Sequence, residues 1–198
     1  MFGATQKHIH SVNMQGNITT LDNTQGHHGA DFSSNYSYSI HNHSEANTPP
    51  TYTLRDIKGR VVRDIVRNEG LVSKLKTYNY SEKTFFTFEN HTGVELNCWM
   101  ILPHDFDESK EYPVYVSIYG GPGVNTVVDS WGGTTFMWHQ YLAQEGYIVA
   151  SVDPRGTPNR GREFEHSTYR KLGKLETADF IDFAKHLGSQ NYIDKDRI

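Results

Sequence analysis

Two rhythms of apolar residues divide the chain. Up to residue 65, apolar side chains recur at every second position over short runs, the period of a half-buried strand. Residues 8–13 alternate, Gln15-Gly16 supplies a turn, and 18–21 follows. A short strand at 30–32 leads into the turn cluster Ser33-Ser34-Asn35. Residues 36–43 alternate again and set Tyr36, Tyr38 and Ile40 on one face. Thr48-Pro49-Pro50 reads as a breaker, and 51–56 and 61–65 flank Lys58-Gly59 as a hairpin. Short strands at this spacing predict a sandwich or propeller blades, and 30–65 has the size of one four-stranded blade.

A short helix is predicted over 68–76, with Leu71, Val72 and Leu75 on one side, and a hairpin over 84–89 and 94–102 turning at 90–93. Residues 103–113 form a polar loop. The rhythm then changes. Residues 114–119, VYVSIY, form a strand; 136–144 a helix with Phe136, Met137, Tyr141 and Leu142 inward; 147–152 a strand. Residues 175–187 form a helix, apolar at Leu175, Ala178, Ile181, Ala184 and Leu187 and stopped by Gly188. Strand, helix, strand, helix predicts parallel βαβ units. The fold class is therefore β followed by α/β, with the boundary between 66 and 90. After Asp194 the pattern prepares another strand and stops, so the chain reads as a fragment, and an open sheet edge would favour association.

Composition changes this picture little. The 198 residues carry a net charge of −4, with 19 Lys and Arg spread along the chain, which excludes the basic face of a nucleic-acid binder. No apolar run approaches the roughly 18 residues of a membrane helix, and MFGATQKHIH has no signal-peptide pattern. The single cysteine, Cys98, excludes an internal disulfide and reads as a packing residue.

Candidate chemistry gathers where the α/β rhythm begins. Gly120, Gly121 and Pro122 end the strand at 114–119 in one step. A strand followed by an abrupt glycine turn and a helix is where open α/β sheets place their chemistry, at the carboxyl edge. Asp153 and Arg155 end the next strand; they read as a turn clamp, Asp153 capping backbone N–H groups and Arg155 pairing with an acid, rather than as substrate contacts. His8 with His10, and His41 with His43, share strand faces, but neither pair has a cysteine or carboxylate at ligand spacing, so no metal site is expected. His139, His166 and His186 read as packing or helix-surface residues. Five N-x-[ST] sequons, at Asn17, Asn35, Asn42, Asn79 and Asn90, are cheap matches in so Asn- and Ser-rich a chain.

Several stretches carry a resemblance: GVELNCWMILP (93–103), YPVYVSIYGGPG (112–123), VASVDPRGT (149–157), YRKLGKLE (169–176), NYIDKDRI (191–198) and, more loosely, TPPTYTLRD (48–56). Together they resemble the prolyl oligopeptidase family of serine peptidases, within it the dipeptidyl peptidase IV branch. The resemblance implies the end of a β-propeller over 1–66, a connecting segment over 67–90 and the first part of an α/β-hydrolase domain over 91–198. It implies a serine peptidase releasing N-terminal dipeptides from short peptides. No cofactor, nucleic acid or membrane segment is implied; a homodimer and export to the periplasm or cell surface are. Tyr119 maps to the family's oxyanion tyrosine, aimed by Gly120, Gly121 and Pro122. The nucleophile's G-x-S-x-G elbow does not occur in this sequence, so the Ser, Asp and His of the triad lie outside it and the chain alone is expected to be inactive. The alternative from another class is a non-catalytic remnant or a propeller-derived binding module; an esterase of the same fold fits the blade-like first third poorly.

Overall fold

The computed structural model describes residues 3–198, which divide into two compact units. One comprises the chain up to Tyr78 together with Val128–Gly133; the other comprises Asn79–Val127 and Thr134–Ile198. The first therefore ends inside the stretch 67–90 that the sequence marks as connecting, and takes back six residues from the second half.

In the first unit, β1 (His10–Val12) and β2 (Ile18–Thr20) form an antiparallel hairpin. β3 (His27–Phe32), β4 (Tyr38–Glu45), β5 (Thr48–Asp56) and β6 (Val61–Val66) form a four-stranded antiparallel sheet in sequence order. A helix, α1 (Glu69–Leu75), follows. Three details differ from the sequence reading. Tyr36 does not open β4; it sits in the preceding turn at φ 58°. Pro49 and Pro50 do not break the chain but lie inside β5. They fall opposite the register shift between His43 and Glu45, where the ladder asks for no N–H from them. β3 starts three residues before the expected strand and so brings His28 into the sheet. The register pairs His28 with His43 and Ala30 with His41, which places all three histidines on one face; Tyr38 and Ile40 occupy the opposite, more exposed face. Asp129, from the returning segment, accepts the Ala46 N–H at 2.9 Å, and the Trp131 N–H donates to Ser44 Oγ at 3.2 Å.

The second unit is built on a mixed sheet. β7 (Lys83–Glu89) and β8 (Glu95–Ile101) form a hairpin; β9 (Val114–Val116) leads through α2 (Gly133–Gln144) to β10 (Ile148–Val152); α3 (Arg162–His166) and α4 (Lys174–Gly188) follow. The strand order is β7-β8-β10-β9, with β10 antiparallel to β8 and parallel to β9. The βαβ step of the sequence reading is thus β9–α2–β10. The sheet is covered on both faces. Leu96, Cys98 and Met100 of β8 and Ile148, Ala150 and Val152 of β10 pack with Phe183 and Leu187 of α4. Trp99, Ile101 and Val149 face the other way, against Val127 and Ala143. Strands buried on both sides read as continuous apolar runs, and these were legible for that reason.

The helices sit on other faces than their apolar residues suggest. α2 buries Phe136, His139, Gln140 and Ala143 while Met137 and Tyr141 are exposed. Gln140 holds the Ser81 backbone at both ends, accepting its N–H at 2.9 Å and donating to its carbonyl at 2.7 Å. α4 buries Glu176, Asp179, Phe183 and Leu187, and Ile181 is 50% exposed. α3 has no counterpart in the sequence reading. Replacing Phe183 by Ala should cost about 3–5 kcal/mol, whereas Ile181→Ala should cost under about 1 kcal/mol, both measured by urea unfolding. Equal losses at the two positions would contradict this orientation of α4.

Candidate active site

The chemistry-bearing residues of the second unit collect at the carboxyl ends of β9 and β10. β9 is shorter than its sequence suggests: the Ser117 N–H donates to the Ala150 carbonyl at 2.8 Å, and regular pairing stops there. The chain then turns outward. Gly120 takes φ 82°, a left-handed conformation that a side chain would strain. Tyr119, just before it, is 60% exposed. Its ring lies over Gly121, where an added Cβ would sit 3.4 Å from Tyr119 Cε1, and a Cβ at Gly120 would sit 3.7 Å from the Phe180 ring. Pro122 is exposed in the same turn.

Behind this exit loop lies a buried carboxylate. Asp153, one residue past β10 and 1% exposed, accepts the Thr126 N–H at 2.7 Å, the Thr126 hydroxyl at 2.9 Å, the Val127 N–H at 3.2 Å and Asn125 Nδ2 at 2.9 Å. Asn125 also reaches the Pro158 carbonyl at 3.2 Å and accepts from Asn159 Nδ2 at 2.8 Å. The segment that follows Tyr119 is thereby tied to the end of β10 by charge-assisted bonds.

Arg155 holds a second carboxylate, Asp179 of α4. Its backbone N–H donates to Oδ2 at 2.8 Å, its Nε to both oxygens at 3.1 Å and its Nη2 to Oδ1 at 2.8 Å. Asn90 Nδ2 adds a bond to Oδ1 at 2.7 Å. The arginine side chain is 12% exposed and the aspartate 0%. Asp179 is not legible in the sequence, since it lies on a helix face whose apolar stripe points elsewhere, and Asn90 reads there only as turn and sequon.

The remaining candidates scatter. Cys98 is fully buried, and burial pushes its thiol well up, away from nucleophilic use. His139 packs against Trp99 with ring centroids 5.1 Å apart; burial, with Lys83 adding, pulls it down to about 4, so it is neutral near pH 7. His186 stacks on Phe86 and Phe88. His166 ends α3 beside Tyr169. In the first unit His10 is exposed and bonds Thr20 Oγ1 at 3.1 Å, whereas His8 meets Asp22 and stacks on His28. Among the described residues no helix is long and apolar enough to cross a membrane.

Comparison with known proteins follows the same outline. Residues 134–198 match the model of the prolyl oligopeptidase family. The whole chain is 32% identical to a dipeptidyl peptidase 4 of Arthroderma otae, of which it covers 26%. The crystal structure of Porphyromonas gingivalis dipeptidyl peptidase 4 superposes with a TM-score of 0.93 at 37% identity, over 98% of this chain and 28% of that one. The second half of the chain is thus similar to the prolyl oligopeptidase family. A putative dipeptidyl aminopeptidase IV from Bacteroides ovatus matches with a TM-score of 0.81 at 29% identity, over 96% of this chain and 27% of that one. The chain thus spans about a quarter of the length of the family members it matches.

Removing the arginine from the Arg155–Asp179 pair should leave a carboxylate buried without its cation. Arg155→Met is expected to destabilise the unit by about 3–5 kcal/mol in urea unfolding. A loss under about 1 kcal/mol would give the pair the weight of a surface salt bridge and remove it from the account.

Proposed function

We propose that the chain is part of a serine-type peptidase that releases N-terminal dipeptides from short peptides. In this reading residues 1–66 close a β-propeller, 67–90 connect and 91–198 begin an α/β-hydrolase domain. Tyr119 donates its hydroxyl to the oxygen of the tetrahedral intermediate. Gly120, Gly121 and Pro122 aim it, and Asp153 and Arg155 clamp the turns behind it without touching substrate. The serine, aspartate and histidine of the triad come from sequence outside these 198 residues.

The observation that carries the reading is the position of Tyr119 in a chain whose relatives are named dipeptidyl peptidases. It stands exposed just beyond β9, where that strand and its parallel neighbour β10 both end. A preorganised donor at such an edge acts on charge that develops in the transition state, and losing one such donor elsewhere costs roughly 2.7–4 kcal/mol. The two-step chemistry is acyl transfer: serine attack with histidine as base, release of the amine, then attack by water.

The test is to assay the full-length protein on alanyl-prolyl p-nitroanilide. Hydrolysis is expected, abolished by a serine-directed fluorophosphonate and absent with the N-acetylated anilide, because the enzyme requires a free amino terminus. The 198-residue chain alone should leave the anilide intact. Failure of the full-length protein to cleave it, or cleavage that survives the fluorophosphonate, would overturn the proposal in favour of a binding module.

A further inference from the structure

We propose that His8, Asp22 and His28 of the first unit bind one divalent transition-metal ion, with zinc the best chemical match. The sequence pairs His8 with His10 and His41 with His43 and offers neither pair a carboxylate. The fold regroups them. One ligand atom each of His8, Asp22 and His28 lie within 4.8 Å of one another. Asp22 comes from the connection after β2, His28 from β3 and His8 from the segment before β1, three stretches that alternation alone does not bring together.

The geometry is close to a coordination shell. Asp22 Oδ1 contacts His8 Nδ1 directly and lies 3.7 Å from His28 Nε2. The Thr24 carbonyl lies 2.9 Å from the same His28 nitrogen. Around a tetrahedral zinc with bonds of about 2.0–2.2 Å, ligand atoms stand on the order of 3.3–3.5 Å apart. Shifts on the order of 1 Å bring two imidazole nitrogens and a carboxylate oxygen around one point, with the Thr24 carbonyl beside His28 as a candidate fourth donor. The His8 and Asp22 side chains are 3% and 1% exposed, so water does not compete for them. Asp22 is already oriented: its other oxygen accepts the Ile9 N–H at 2.7 Å.

His28 Nε2 faces three oxygens, the Thr24 carbonyl at 2.9 Å, the Thr24 hydroxyl at 3.5 Å and the Asp22 carboxylate at 3.7 Å, and one ring proton serves only one of them. A dication satisfies the carbonyl and the carboxylate together. His28 Nδ1 lies 3.2 Å from His41 Nε2, which can accept the ring proton and so leave Nε2 of His28 free to ligate. His41 is buried and its Nδ1 has no partner, so the row of imidazoles does not close as a hydrogen-bond network of its own. Two nitrogen donors select a first-row transition metal over calcium or magnesium. The ion would tie three separate segments together.

The test is titration of the full-length protein with Co2+ and Zn2+. One cobalt per chain is expected, with the intense visible bands of four-coordinate geometry, displaced by zinc, and a thermal midpoint raised by zinc. Asp22→Asn should weaken binding at least about tenfold, and His10→Gln should leave it unchanged. Since a buried substitution can disturb folding, zinc-edge X-ray absorption of the wild-type protein decides independently: two imidazoles in the first shell are expected. No stoichiometric uptake by the wild type, a six-coordinate cobalt spectrum, a shell without the imidazole pair, or Asp22→Asn binding as tightly as wild type would each overturn the proposal.

Discussion

The second unit depends on a carboxylate buried at the end of a strand. A sheet covered on both faces leaves its loops to emerge at the strand ends, where backbone donors lose their ladder partners. Asp153 takes three donors from Thr126 and Val127 and one from Asn125. Without it, the buried Val127 would keep an unpaired N–H, at a cost of about 1–3 kcal/mol, and the half-buried Thr126 would lose its partner too. That anchor fixes one end of the loop carrying Tyr119, and the Ser117–Ala150 bond fixes the other. Arg155 and Asp179 then join the next turn to α4 through a pair buried on the carboxylate side.

Charge inside the fold also explains what the sequence could and could not show. β8 and β10 were legible because both faces are apolar: LNCWMI and IVASV have no other place in a globular chain. The helices misled for the opposite reason. The inward row of α4 begins with Glu176 and Asp179, and that of α2 contains His139 and Gln140. Hydropathy assigns such residues to solvent, and only their partners, Arg155 and Asn90 for one and Ser81 for another, show otherwise. In the first sheet the same inversion makes the histidine face the more buried one and leaves Tyr38 and Ile40 exposed. Gly120, Gly121, Asp153 and Arg155 could be named from glycine and strand-end signals, and Tyr119 only through the family resemblance. Asp22 and His28 could not, because their proximity arises from the β3–β4 register and from a connection without periodicity.

The two units therefore do different work with similar materials. In one, buried aspartates meet backbone N–H groups and an arginine and tie turns together. In the other, a buried aspartate meets imidazoles, a softer donor set that a transition metal can complete. Neither arrangement needs a special residue; each follows from which donors the chain's turns bring to a carboxylate that has lost its water.

The oxyanion role proposed for Tyr119 stands or falls on Tyr119→Phe in the full-length protein. The substitution keeps the ring over Gly121 and removes only the hydroxyl. With thermal stability unchanged, the account predicts that kcat on a dipeptide anilide falls about 10²–10³-fold while KM changes little. A kcat equal to that of the wild type would contradict it.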